Sequence, residues 1–169
     1  MKRSPRRASG FTYLLLLIVV AVSGAAAAAA GALWSHTAQR EKEAELFFVG
    51  EQFRQAIAFY YYRTPGGGHQ YPATLRALLE DNRYPMPQRY LRKIWRDPIT
   101  GSAEWGLVEA PGGGIMGVFS KSTAAPIKTG NFPVRWAAFD KAKTYEDWKF
   151  VFVPETPVNS DGPGPMPKD

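Results

Sequence analysis

The chain has 169 residues, room for one modest domain, and no cysteine, which excludes disulfides and thiolate metal sites. Its 21 Lys+Arg against 15 Asp+Glu give a formal charge of +6. Four of those cations are Lys2, Arg3, Arg6 and Arg7, so the rest of the chain carries only +2, with no basic stripe of the kind that binds nucleic acid.

The first ten residues form a short basic leader ending in Ala8-Ser9-Gly10. From Phe11 no charged residue appears until Arg40. Residues 11–34, ending at Trp34, are apolar or small and measure about 36 Å at a rise of about 1.5 Å per residue. A hydrocarbon core of about 30 Å needs about 20 such residues, so this run predicts a transmembrane helix. The cations before it place the N-terminus in the cytoplasm and the remainder outside, which in a Gram-negative cell is the periplasm. The same residues also fit a cleavable signal peptide with an Ala-x-Ala site near residues 24–31, a twin-arginine signal at Arg6-Arg7, or an uncleaved anchor.

The helical pattern does not stop at Trp34. Residues 35–63 contain no proline and are rich in Ala, Glu, Gln, Lys and Arg, good helix formers. Leu46, Phe53 and Tyr60 recur every seven positions, with Val49, Ala56 and Ile57 completing an apolar stripe. Glu41, Glu45, Glu51, Arg40, Lys42 and Arg54 occupy the other surface, while Phe47, Phe48 and Phe59 widen the stripe. Leu46, Phe53, Ile57 and Tyr60 are therefore the expected packing residues, although each ring taken singly reads simply as core. Gly50 in this helix serves either a bend or a close approach, because glycine costs about 1 kcal/mol there. A single helix from residue 11 to about residue 62 is the expectation, and a detachable signal has no reason to run in phase into it.

Thr64-Pro65-Gly66-Gly67-Gly68 ends the helix. A phosphate-binding reading of the glycines lacks both the preceding strand and the following Lys-Ser/Thr. Residues 64–153 read as a small globular head. A short helix is expected over 75–81 with Thr74 at its N-terminus, an extended path through Pro85 and Pro87, a second helical turn over 88–95, and a turn at Asp97-Pro98-Ile99-Thr100-Gly101. Strands are expected over 104–109 and 115–120, joined by a glycine-rich hairpin loop, with a third over 148–153. The connection 121–145 has no clear pattern. Residues 154–169, rich in proline and glycine, read as a disordered tail. The fold class is thus α+β: a long N-terminal helix packed on a small antiparallel sheet of about three strands.

The N-terminal run Gly10-Phe11-Thr12-Tyr13-Leu14-Leu15 after a basic leader resembles the type IV pilins and the pseudopilins of type II secretion systems. The ordered set Tyr71-Pro72, Leu75, Leu78-Leu79, Arg89-Tyr90-Leu91, Asp97-Pro98, Gly101 and Trp105-Gly106 is similar to the head of major pseudopilins, and Glu146-Asp147 before Trp148 resembles the start of that family's last strand. The resemblance covers roughly residues 1–120. It implies cleavage by prepilin peptidase between Gly10 and Phe11, methylation of the new Phe11 amine, and assembly with itself and other pseudopilins at an inner-membrane secretion platform. The family's glutamate at the fifth mature position is Leu15 here, so the ion pair attributed to that carboxylate is lost, which weighs against the repeating major subunit and leaves room for a minor, tip or accessory one. A carboxylate there would cost about 2.5–3.5 kcal/mol on insertion into a bilayer.

No enzyme constellation is visible. His36 and His69 have no metal-ligand spacing, and Ser102, Ser120 and Ser122 lie in no nucleophile elbow. Asp140, Glu146, Asp147 and Asp161 are donors of the type calcium takes. The resemblance implies calcium in C-terminal loops without assigning ligands in this chain, so no metal ligand and no cofactor are assigned. The expectation is a structural protein and not an enzyme.

Overall fold

The computed structural model describes residues 9–154; the side chains of residues 9, 10 and 28–33 lie outside that description. The leader up to residue 8 and the expected tail from residue 155, Asp161 included, are outside the described residues.

One α-helix, α1, runs unbroken from Ser9–Tyr62. Three strands follow, β1 (Gly106–Glu109), β2 (Ile115–Phe119) and β3 (Phe150–Val151), in an antiparallel sheet of order β1-β2-β3. The architecture is α+β. The strands are shorter than the alternation suggests, because pairing stops where the partner chain leaves: β3 contributes only Phe150 opposite Val118 and Val151 opposite Gly117. Gly113 and Gly114, with φ of 86° and 84°, close the β1–β2 loop in a backbone region that suits glycine.

The second half of α1 crosses β2 and β3. Leu46, Phe53 and Ile57 are fully buried and Tyr60 nearly so, each such apolar side chain contributing about 1.5–3 kcal/mol. The core is built of rings: Phe47 lies 4.9 Å from Trp148 and 5.7 Å from Phe150, and Trp136 stacks on Phe139 at 5.1 Å. At Gly50 the helix continues without a break. An added Cβ would overlap the Phe150 ring at its root, so this glycine sets how closely helix and sheet approach.

Two of the short elements differ from expectation. Residues 75–78 form a 3-10 turn, Leu75–Leu78, and Thr74 makes no side-chain cap. Residues 88–95 are not helical. Gln88 forms an isolated antiparallel bridge with Asp81, and the Tyr90 and Leu91 amides both donate to Leu78 O at 2.9 Å. These long-range partners outweigh a weak local helical preference. The unpatterned connection contains 3-10 segments at Val134–Lys141 and Tyr145–Asp147, the second closed by a capping box between Thr144 and Asp147.

The transmembrane span expected over 11–34 is not established by the structure: among the described residues, no helix is long and apolar enough to cross a membrane. The described apolar side chains, 11–27, cover about 25 Å at helical rise, short of a core of about 30 Å.

The C-terminal end of α1 is held by Arg83. Its guanidinium donates to Asp81 Oδ1 and Oδ2 at 2.8 and 2.7 Å, to the Tyr60 carbonyl at 3.0 Å and to Thr64 Oγ1 at 2.9 Å, and lies 3.5 Å from the Tyr60 ring centroid. Tyr90 Oη donates to Asp81 Oδ2 at 3.0 Å. Burial alone would raise the Asp81 carboxyl, but these donors hold it below its ordinary value. Burial and the Asp81 carboxylate push the Tyr90 phenol up to about 12, so it remains a donor.

Two outcomes are expected. Gly50→Ala should lower head stability in urea titrations followed by tryptophan fluorescence, since overpacking of about 1–3 kcal/mol outweighs about 1 kcal/mol of helix propensity; Gly24→Ala, in open space, should not. Asp81 is depressed in the folded state, so its contribution is complete above the usual carboxylate pKa of about 4 and is lost as pH falls through the lower folded value. The urea midpoint should therefore fall as pH is lowered below about 4, and Asp81→Asn should flatten part of that slope.

Candidate functional site

The two halves of α1 differ in what covers them. From Phe11 to Val22 the large apolar side chains stand open: Phe11 is 70 % exposed, Leu14 55 % and Val20 61 %, with Trp34 at 80 % further along. Burial begins at Glu43 and Leu46, where the head takes over. An apolar surface of this extent is of the kind that lipid or another protein covers.

The expected site residues fall on either side of this divide. Gly10 and Phe11 lie in the first turn of α1, and Leu15 is half exposed on the open stretch. Leu46, Phe53, Ile57 and Tyr60 all face the head's own core. Phe48, Phe59 and Tyr62, more than half exposed, lie on the outer side of the covered half. The structure thus does not bring the expected processing and packing positions together; they occupy opposite ends of one rod.

Where the halves meet, Glu43 joins rod to head. It is 3 % exposed. Its Oε1 accepts from the Ile127 amide at 2.6 Å and the Tyr145 hydroxyl at 2.8 Å, and its Oε2 accepts from the Lys128 amide at 3.2 Å. Gln39 Nε2 donates to Tyr145 Oη at 3.0 Å. Burial pushes the Tyr145 phenol up to about 12; the Gln39 donor opposes this and the Glu43 carboxylate adds to it, and the hydroxyl stays protonated. Sequence reasoning placed Glu43 only among the helix formers. Its spacing could have revealed it: positions 43, 46, 50, 53, 57 and 60 step by three and four along the buried face.

A second buried carboxylate, Asp97, orders the turn that leads to β1. Its Oδ1 accepts from the Ile99 amide at 2.9 Å; its Oδ2 accepts from Thr100 Oγ1 at 2.8 Å and Ser120 Oγ at 2.6 Å. Ser120 is fully buried, which suits a strap between the turn and the end of β2. His36 is exposed on α1, and exposed His69 stacks on Tyr61 at 5.1 Å. Asp147 is occupied by the Lys143 and Thr144 amides. Among the described residues no three His, Cys, Asp or Glu are grouped to hold a metal ion.

Compared with known proteins, the chain matches no family model, no curated protein and no solved structure. The resemblance to pilin-like proteins rests on the residue pattern alone.

Glu43→Ala should cost about 3 kcal/mol in urea denaturation, because it leaves two amides and a hydroxyl without their acceptor. A double-mutant cycle with Tyr145→Phe should show a coupling of about 0.5–3 kcal/mol. A loss no greater than the roughly 0.5 kcal/mol of an ordinary surface change would mean that the loop is held without Glu43.

Proposed function

We propose that this chain is a structural, pilin-like subunit, a pseudopilin of a type II secretion or related pilus system. It enters the inner membrane with its leader in the cytoplasm and its head in the periplasm. Prepilin peptidase cuts between Gly10 and Phe11, the Phe11 amine is methylated, and the subunit joins itself and other pseudopilins in a helical filament on the inner-membrane secretion platform. The observation that carries this reading is the continuity of α1 from Ser9–Tyr62 with its apolar first half uncovered. A head fixed on the second half leaves the first free to exchange lipid for neighbouring helices. The apolar sequence continues to Leu33 and Trp34, and a run of that length suits a bilayer of about 30 Å.

Leu15 gives a neighbouring amine no carboxylate to pair with, so apolar contact alone would hold this stretch in a filament. That supports a minor, tip or accessory place over the repeating one.

The intact mass of the protein from cells tests the reading. The wild type should begin at an N-methylated Phe11, and Gly10→Val should retain residues 1–10 and fail to enter crosslinked oligomers, since the peptidase needs close backbone approach at that position. A mature start near Gly31 would instead indicate a soluble periplasmic module released by signal peptidase.

A further inference from the structure

Just above the open half of α1, the helix and the loop 127–131 enclose a groove of about 410 Å³. Arg40, Ala44 and Phe47 form one wall, and the loop from Ile127 to Asn131 forms the other. The walls combine two cations, Arg40 and Lys128, with the hydroxyl of Thr129, the amide of Asn131 and an apolar floor of Ala44, Phe47 and Ile127. The Lys128 ammonium lies 4.9 Å from the Phe132 ring centroid and 5.6 Å from that of Phe47. Among the described residues neither cation belongs to an ion pair.

The one carboxylate in the wall, Glu43, already accepts from two loop amides and the Tyr145 hydroxyl. Glu41 and Glu45 sit more than a quarter-turn round the helix from Arg40 at about 100° per residue. Two cations against that one carboxylate leave the groove a net positive charge beside apolar surface, which fits a phosphate ester attached to an apolar body.

Its place along the rod selects the source of that phosphate. Arg40 is about 9 Å beyond Trp34 at helical rise, and side chains on a helix lean toward its N-terminus. Here that direction leads back to the apolar stretch, so an arginine reaches the headgroup level while its stem lies along the helix. We propose that the groove between α1 and the 127–131 loop binds the phosphate of an anionic phospholipid in the leaflet facing the head. It would fix the height and rotation of the head over the membrane before assembly. The inference rests on the membrane-anchored reading above.

The test uses the full-length mature protein in bilayers of phosphatidylcholine alone or of an equimolar mixture with phosphatidylglycerol, with amide hydrogen exchange read at residues 129–131. Each basic residue near an anionic surface strengthens attachment about fivefold. Exchange should therefore slow at least about fivefold in the anionic bilayer, and the double variant Arg40→Gln/Lys128→Gln should abolish the slowing while keeping the wild-type circular dichroism. Equal exchange in the two bilayers, or slowing that survives in the double variant, overturns the headgroup site. So does equal slowing by glycerol phosphate added to neutral bilayers, which would assign the groove to a free phosphate ester. Flotation separates the two claims: protein that does not float with neutral bilayers overturns the membrane reading and this inference with it, whereas protein that floats without lipid-dependent slowing overturns this inference alone.

Discussion

The closeness of α1 to the sheet at Gly50 is the constraint on which the rest of the head depends. With no Cβ at that position, the Phe150 ring lies against the helix backbone, and Phe47, Trp136 and Phe139 close round it, with Trp148 packed on Phe47. β3 has only two residues, too short to be held by ladder hydrogen bonds alone. Its position comes from this ring packing and from Gly117, where an added Cβ would meet the Phe150 carbonyl and the Val151 backbone. A small domain with a three-stranded sheet buries little surface for its size, so large rings and close backbone approach supply much of what a larger core would.

Buried polar groups then fix the ends of that contact. At the lower end, Glu43 takes the amides of a loop more than eighty residues away, and at the upper end, Arg83 satisfies a helix carbonyl that has no partner within the helix. Nearly all of these groups are satisfied by charge-assisted or hydroxyl bonds, which are directional where apolar packing is not. Trp148 Nε1 is the one buried side-chain polar atom among the described residues without a partner, in keeping with a site where ring packing decides the orientation. Together these bonds hold the head in one register along the rod.

That register bears on the proposed role. A filament subunit has to present an uncovered apolar helix and a rigid head at a fixed offset, and here the boundary between the two lies at Glu43. The open stretch has a different requirement. Its side chains face outward all round, as in a helix that is covered by something other than its own domain.

Much of this was legible in the chain. The continuous helix, its stop at Thr64-Pro65-Gly66, the stripe Leu46, Phe53, Ile57 and Tyr60, and the glycine hairpin before Ile115 all follow from periodicity and from residues that permit or forbid particular backbone angles. Such signals act over a few residues, so sequence carries them directly. The non-helical path of 88–95 did not follow, because Leu78 and Asp81 supply its hydrogen bonds. Nor did the buried roles of Asp81, Asp97 and Ser120, or the partners of Glu43, whose spacing marks only its place on the buried face; whether a carboxylate is solvated or sealed depends on donors brought from elsewhere by folding. The tertiary structure also decided the use of Gly50: the sequence allowed a bend or a close approach, and only the arrival of Phe150, one hundred positions later, made it the second.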